Sequence, residues 1–325
     1  MKLILVGYGN IAKFHIEAFR SLDVDIIASC NRSEEKNFLA KTEAGIKNTY
    51  KSINEMIENE SFDGILCCVS YYNIFKVAKI LIPLGVPIFL EKPPGTSYDE
   101  YETLLDLSRK NFTPVVVGLN RRFYSVIKNA IKDMGGLINV NHIDLSWAED
   151  TAIWINRGVK QTDIKKLLYA NSIHGIDLIS FLNDDEEIID LDIKVSILSK
   201  KKCKWIICFN VKLQNNLIIS YRSTWGIPGR WRLEVCSNEK KYTFAPLEKC
   251  IISNFGNEEK TVPIAIEDKN FKPGFYLQAN SFLEICKKPT KYKSAKNSLE
   301  KINSTMKILS KIEAELDLQL NKFDD

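Results

Sequence analysis

The chain opens MKLILVGYGNIA, residues 1–12, and this stretch decides how the rest is read. Lys2–Val6 is a short aliphatic run of the kind that forms a strand buried in a parallel sheet. It stops at Gly7-Tyr8-Gly9-Asn10-Ile11-Ala12, and residues 13–21 then carry apolar residues at helical spacing. Strand, glycine turn and helix together give a G-x-G-x-x-A string its meaning as a dinucleotide-binding turn. Gly7 permits the tight turn, Gly9 lets the backbone approach a pyrophosphate, and Ala12 lets helix and strand pack closely. Asn10 and Ile11 begin the helix, whose N–H groups and partial positive charge favour phosphate. A tight strand-to-helix turn in some other α/β domain is the alternative.

Outward from this turn, strands and helices alternate to about residue 120. Asp25–Cys30 and residues 64–70, 86–90 and 114–119 read as further strands. Helices are expected at residues 50–60 and 73–84 and at Tyr98–Lys110. This alternation predicts an α/β fold with a doubly wound parallel sheet, its ligand crevice beyond the carboxyl ends of the strands. Candidate residues sit at those ends: Asn31 and Arg32, Ser70, Glu91 and Lys92, then Arg121, Arg122 and Tyr124. A carboxylate about 20 residues past the glycine turn usually takes the ribose hydroxyls of NAD. Here Asn31 ends the second strand, and the next carboxylate is Glu34. Arg32 suits a 2′-phosphate or the adenine face, or else is a solvated arginine at a helix start. Lys92 follows a buried strand, where apolar surroundings can lower a lysine pKa and fit it for proton transfer. Pro93 and Pro94 stiffen that turn. Glu91, on the cofactor side, reads as holding the loop rather than reacting.

The pattern changes in the second half. A helix at residues 125–134 leads to strand-like runs at 139–147, 190–198, 205–213, 217–225, 230–236 and 241–245. Their alternation suits an antiparallel sheet with one wetter face. Past residue 190 it is also expected to leave an apolar face that needs covering in a homo-oligomer. A helix at residues 172–182 carries His174 and Asp177 on a shared face, with Asn171 just before it. His174 reads as a catalytic or substrate-contacting group, or as a structural histidine; His15 and His142 read as structural. Arg121, Tyr124, Asn171 and Asp177 are the candidate substrate contacts. Trp225, Arg230 and Trp231 suit either a sugar or strand packing. Helices are expected at residues 276–287 and 298–318, and the domains at residues 1–122 and 123–325.

The length of 325 residues suits two domains. Lys+Arg 45 against Asp+Glu 41 leaves a net charge of +4, too small an imbalance to imply nucleic acid. KKKCK at residues 200–204 reads as a solvated turn. No signal peptide or membrane span is expected. The eight cysteines lack zinc-type spacing, so no metal is expected, and they read as free thiols of a cytoplasmic protein.

G-Y-G-N-I-A, then E-K-P-P beginning at Glu91, N-R-R-F at Asn120–Phe123 and H-G-I-D beginning at His174 occur in an order that resembles the glucose–fructose oxidoreductase / inositol dehydrogenase (Gfo/Idh/MocA) family. F-K-P-G-F-Y at residues 271–276 is similar to a segment in members acting on sugars of cell-surface glycans. The resemblance spans essentially the whole chain. It implies a Rossmann domain followed by an α+β domain with an open, mostly antiparallel sheet, the latter commonly an oligomer interface. NAD or NADP, a sugar, sugar-nucleotide or polyol substrate, hydride transfer and a homodimer or homotetramer are implied with it. Lys92 matches the family lysine near the nicotinamide, and His174 the histidine of the second motif. Many members carry an Asp four residues before that histidine, where this chain has Ala170. A methyl cannot relay a proton. The alternatives are therefore a cofactor-binding regulatory protein and a net redox-neutral enzyme that holds its NAD.

Overall fold

A computed structural model describes residues 1–186, 188, 191–213, 215–255 and 259–323. Its contacts divide the chain into two compact units, Met1–Tyr124 with Ala265–Lys301 and Ser125–Ile264 with Ile302–Asp325.

The first unit is built on a parallel sheet of β1 (Lys2–Val6), β2 (Asp25–Cys30), β3 (Asn48–Tyr50), β4 (Gly64–Cys67), β5 (Ile88–Leu90) and β6 (Val115–Val117). Their order is β3-β2-β1-β4-β5-β6, the doubly wound dinucleotide-binding arrangement. β1, β4, β5 and β6 are almost wholly buried, as their aliphatic runs require. Three of the helices between strands start on serine caps. Ser33, Ser52 and Ser97 accept the backbone N–H of Lys36, Glu55 and Glu100, each cap contributing roughly 0.5–2 kcal/mol. The expected helix at 73–84 ends as α-helix at Leu81 and tightens to a 3₁₀ turn at Ile82–Leu84, which contains Pro83.

A single division at residue 122 does not describe this unit, because Ala265–Lys301 returns to it. The cause is aromatic packing. Phe282 meets Phe19 and Phe89 edge-on at 6.0 and 5.7 Å, a geometry that contributes beyond area burial. Asn297 also closes the edge strand, accepting the Val117 N–H and donating to its carbonyl.

The second unit carries β7 (His142–Glu149), β8 (Ile193–Ser199), β9 (Lys204–Lys212), β10 (Ile218–Trp225), β11 (Arg232–Cys236), β12 (Lys241–Phe244), β13 (Ile251–Ser253) and β14 (Lys260–Thr261). They form a sheet ordered β14-β13-β12-β11-β7-β10-β9-β8, antiparallel except for the β7–β10 pair. Asp190, where the sequence reading begins a strand, lies outside the described residues. Lysines 200–202 form part of the expected turn between β8 and β9. On the inner face of the sheet, helix Ile173–Leu182 packs on β7 with Gly175 against Trp147 and Leu145, and helix Asn303–Lys322 packs on β8. The outer face carries Asp144, Ser146, Arg222, Thr224 and Glu234. The same face also carries Ile206 and the exposed Ile218, so it is mixed in polarity rather than wholly apolar. Among the described residues no helix is long and apolar enough to cross a membrane.

Candidate active site

Within the first unit, the loops after β1, β2 and β4 line a cavity of about 690 Å³. Gly7, Gly9, Asn31, Arg32 and Ser70 all face it, so five of the sequence-derived cofactor residues come together. The two glycines are needed for different reasons. Gly7 sits at φ +92°, and a Cβ there would lie 2.9 Å from the Cys68 backbone; the fold itself requires glycine. Gly9 is extended, at φ −134°, and a Cβ would meet nothing within 4 Å. No atom of the chain demands glycine there, and the open side is what a close-lying ligand would use. Gly9 caps helix Asn10–Arg20, which has no side-chain cap and no acidic residue in its first turn. Asn10 and Ile11 open that helix, and its N-terminus suits an anion.

Asn31, which stands where the ribose-binding carboxylate is usual, is held within the fold. It is buried, its Oδ1 accepts the Tyr8 N–H at 2.5 Å, and its Nδ2 donates to Asn37. Asn31 thus ties the glycine turn to the end of β2. Arg32 is exposed on the same wall. Lys36, Lys51 and Lys76 also line the cavity, which has no carboxylate in its wall; Lys51 is paired with Glu34 outside it. Two thiols complete the lining: burial pushes Cys30 up to about 11 and Cys68 well above the usual thiol range. All eight cysteines are free.

Glu91 and Lys92 follow β5. Glu91 is buried; its Oε2 accepts the Lys92 N–H at 3.1 Å, and its Oε1 lies 2.6 Å from His15 Nε2. Gly118 leaves room for this carboxylate, since a Cβ there would come within 2.8 Å of Oε1. His15 is fully buried, against Phe275 at 4.5 Å and Phe89 at 4.8 Å between ring centroids. The sequence reading of His15 as merely structural missed this partnership. Its signal was a histidine within the otherwise apolar stripe Ala12, Ile16, Phe19. Lys272 was also missed: its Nζ lies 4.6 and 5.2 Å from the Phe14 and Phe275 ring centroids. Burial lowers its pKa, against the field of Glu91 and with that of Arg121.

Arg121 and Tyr124, expected as substrate contacts, are buried within this unit. Arg122 donates to the Lys296 carbonyl and Asn120 to that of Pro273. Gly274 explains the glycine of F-K-P-G-F-Y. At φ +79° its Cβ would collide with the Asn120 carbonyl oxygen at 2.1 Å, so the two motifs are packed face to face.

In the second unit, helix Ile173–Leu182 is preceded by a π-helical turn, Leu168–Ser172. His174 is 6% exposed and Asn171 is half-buried. Ala170 is buried inside the turn. Asp177 departs from its expected substrate role: it is 1% exposed and accepts the Thr305 hydroxyl at 3.1 Å, tying its helix to Asn303–Lys322. His142 pairs with Ser220 across the sheet. Trp225 stacks on Trp205, and Trp231 stacks on Trp147 while donating to the Ala148 carbonyl; these tryptophans serve packing. Glu149, buried at the end of β7 and bonded to Asn171, was passed over by the sequence reading. Its signal was the inward alternation Ile143, Leu145, Trp147, Glu149. Among the described residues no cluster of His, Cys, Asp or Glu is arranged to hold a metal.

A Rossmann sheet in this strand order, with an open glycine turn at an uncapped helix start, defines a dinucleotide-binding protein. Residues 1–119 match the GFO_IDH_MocA family model, described as an oxidoreductase family with an NAD-binding Rossmann fold. Residues 1–119 thus carry the NAD-binding Rossmann domain of that oxidoreductase family. It is similar to the myo-inositol 2-dehydrogenase of Thermotoga maritima, 22% identical over 220 residues that span 62% of this chain and 65% of the relative. A dehydrogenase from Chromobacterium violaceum superposes with a TM-score of 0.83 at 17% identity, over 99% of this chain and 97% of the other. UDP-N-acetylglucosamine 3-dehydrogenase from Acidithiobacillus ferrooxidans superposes with a TM-score of 0.78 at 14% identity, over 98% and 99%. At these identities the two structural likenesses establish the fold.

Proposed function

We propose that the protein is an NAD(P)-dependent oxidoreductase acting on a CH–OH group of a sugar, sugar nucleotide or related polyol. The observation that carries this reading is Gly9, a glycine that nothing in the fold requires, facing an open cavity at a helix start. Gly7, Gly9, the first turn of Asn10–Arg20, Arg32 and Ser70 are the residues that would hold the dinucleotide. When bound, it supplies the hydride acceptor or donor. Lys92 is the proton-transfer group: its amine holds the reacting hydroxyl and takes its proton in oxidation, or returns it in reduction. Glu91, fixed by His15, orients the Lys92 backbone. His174 is the second proton-handling group and Asn171 a substrate contact.

Relatives named for a polyol and for a nucleotide sugar support the substrate class. Free cysteines suit a cytoplasmic protein, and the family resemblance supports a homodimer or homotetramer. Ala170 favours one competing reading, a cofactor-binding protein without turnover. The test is a screen of myo-inositol, scyllo-inositol, hexoses and UDP-N-acetylglucosamine with NAD⁺ and NADP⁺, following nicotinamide absorbance. Turnover of one of them supports the reading. Dinucleotide binding without oxidation of any, and without reduction of the corresponding ketones, supports its competitor.

A further inference from the structure

Glu149 is a buried carboxylate, 1% exposed, that ends β7. Its Oε1 accepts the Trp147 indole N–H at 2.9 Å and the Ser172 hydroxyl at 2.6 Å; its Oε2 accepts the Asn171 amide at 2.8 Å. Two of these donors belong to the π-helical turn Leu168–Ser172, which runs directly into the helix bearing His174. A π-helical turn is a wider, rarer backbone form than an α-helical one and recurs at functional sites. The third donor belongs to the residue beneath that helix. Trp147 stacks on Trp231 at 4.2 Å and 9°, and a Cβ on Gly175 would lie 2.7 Å from the Trp147 ring. One carboxylate therefore joins the strand, the turn and the aromatic floor on which residue 175 rests.

A buried carboxylate is costly unless hydrogen bonds offset its desolvation, so three donors built around one glutamate indicate a feature kept for order. Removing the carboxylate leaves those buried donors unsatisfied and loosens the arrangement they fix. We infer that Glu149 is the positioning residue of the second unit: it sets the turn that carries Asn171 and thereby the placement of His174. This rests on the proposed proton-handling role of His174, and it supplies an ordering carboxylate from β7 beside the turn in which residue 170 is alanine.

Glu149→Gln tests it. A glutamine offers one acceptor and one donor, so in either orientation a donor faces a donor, at Asn171 or at Trp147 and Ser172. The double variant Glu149→Gln with Asn171→Asp restores the complement with the carboxylate moved to the turn. The chain has three histidines, and ¹⁵N-histidine spectra resolve them, with His174→Gln assigning the signal of interest. The expected result is a shifted or broadened His174 signal in Glu149→Gln, unchanged His15 and His142 signals, and return of the His174 signal in the double variant. On a substrate found among myo-inositol and UDP-N-acetylglucosamine, kcat falls about 10- to 100-fold with KM changed less than about threefold, as for small misplacements of a reacting group. NADH affinity, a property of the first unit, stays at the wild-type value. If Glu149→Gln does not fold, Ser172→Ala removes one donor and is read the same way, with a smaller shift. A folded Glu149→Gln protein with an unmoved His174 signal overturns the inference, whether or not either substrate turns over. Turnover indifferent to His174→Gln, with the His174 signal still moved by Glu149→Gln, overturns the chemical role of His174 and leaves the positioning intact.

Discussion

Replacing Gly9 by valine separates what the fold needs from what the ligand needs. At φ −134° residue 9 is in ordinary extended backbone, and its Cβ would meet no atom within 4 Å. Losing a glycine at a compatible position stabilises by about 0.4–1 kcal/mol through the unfolded chain. Valine is a poorer N-cap than glycine, which costs about 0.5–1 kcal/mol. The two nearly cancel, so the melting temperature should stay within about 3 °C of wild type. Binding should respond differently. The added side chain stands in the cavity where the pyrophosphate would approach the helix start, and a loss of at least hundredfold in affinity is expected, about 2.7 kcal/mol. Gly7→Ala gives the contrast: at φ +92°, with its Cβ 2.9 Å from the Cys68 backbone, it should lose more than about 2 kcal/mol of stability. The assay pairs thermal unfolding with titration of NADH fluorescence. A folded Gly9→Val protein that titrates like wild type would refute the reasoning, because the open side of Gly9 would then be empty for no purpose.

Other consequences can be checked in the same way. The cavity wall carries Arg32, Lys36, Lys51 and Lys76 and no carboxylate, so NADPH should bind at least as tightly as NADH and Arg32→Glu should weaken NADPH selectively; clear preference of the wild type for NADH would count against this. Burial raises the pKa of Glu313, against the Tyr169 hydroxyl that donates to it at 2.9 Å. An acid whose folded pKa is raised contributes stability below its unfolded pKa and loses it as pH rises through the folded value. Glu313→Gln should therefore melt higher than wild type at pH 8 and level with it at pH 4, and a gap independent of pH would contradict the assignment. Light scattering at micromolar concentration should give a homodimer or homotetramer; a monomer would remove the oligomer from the account.

Much of the first unit was legible because its determinants are local. Aliphatic runs of three to six residues, glycine turns and helical stripes follow one another, and each strand end announces its candidate residues. β3 escaped because Asn48–Tyr50 is three mixed-polarity residues, too few for a period. The return of Ala265–Lys301 escaped because Phe275 and Phe282 look like any apolar stripe; only their partners Phe19, His15 and Phe89, far back in the chain, say where they belong. Candidate site residues divide in the same manner. Gly7, Gly9 and Lys92 are marked by their turns, whereas Asn31 was read as a missing carboxylate when its side chain holds the glycine turn. Asp177 was read from helical spacing alone, which cannot reveal that Thr305 claims it. Glu149 meets Asn171 and Ser172, 22 and 23 residues away, and His15 meets Glu91, 76 residues away, and no local pattern encodes such pairs.

The central claim is that Lys92 moves the proton of the reacting hydroxyl beside a bound nicotinamide. Turnover by Lys92→Met, measured by nicotinamide absorbance on the substrate the wild type accepts and with NADH binding titrated in parallel, tests it most directly. Methionine keeps the length of the side chain and removes the transferring group. Turnover should fall by about two to four orders of magnitude while NADH binds as in wild type. A folded Lys92→Met protein that turns its substrate over at the wild-type rate would contradict the account.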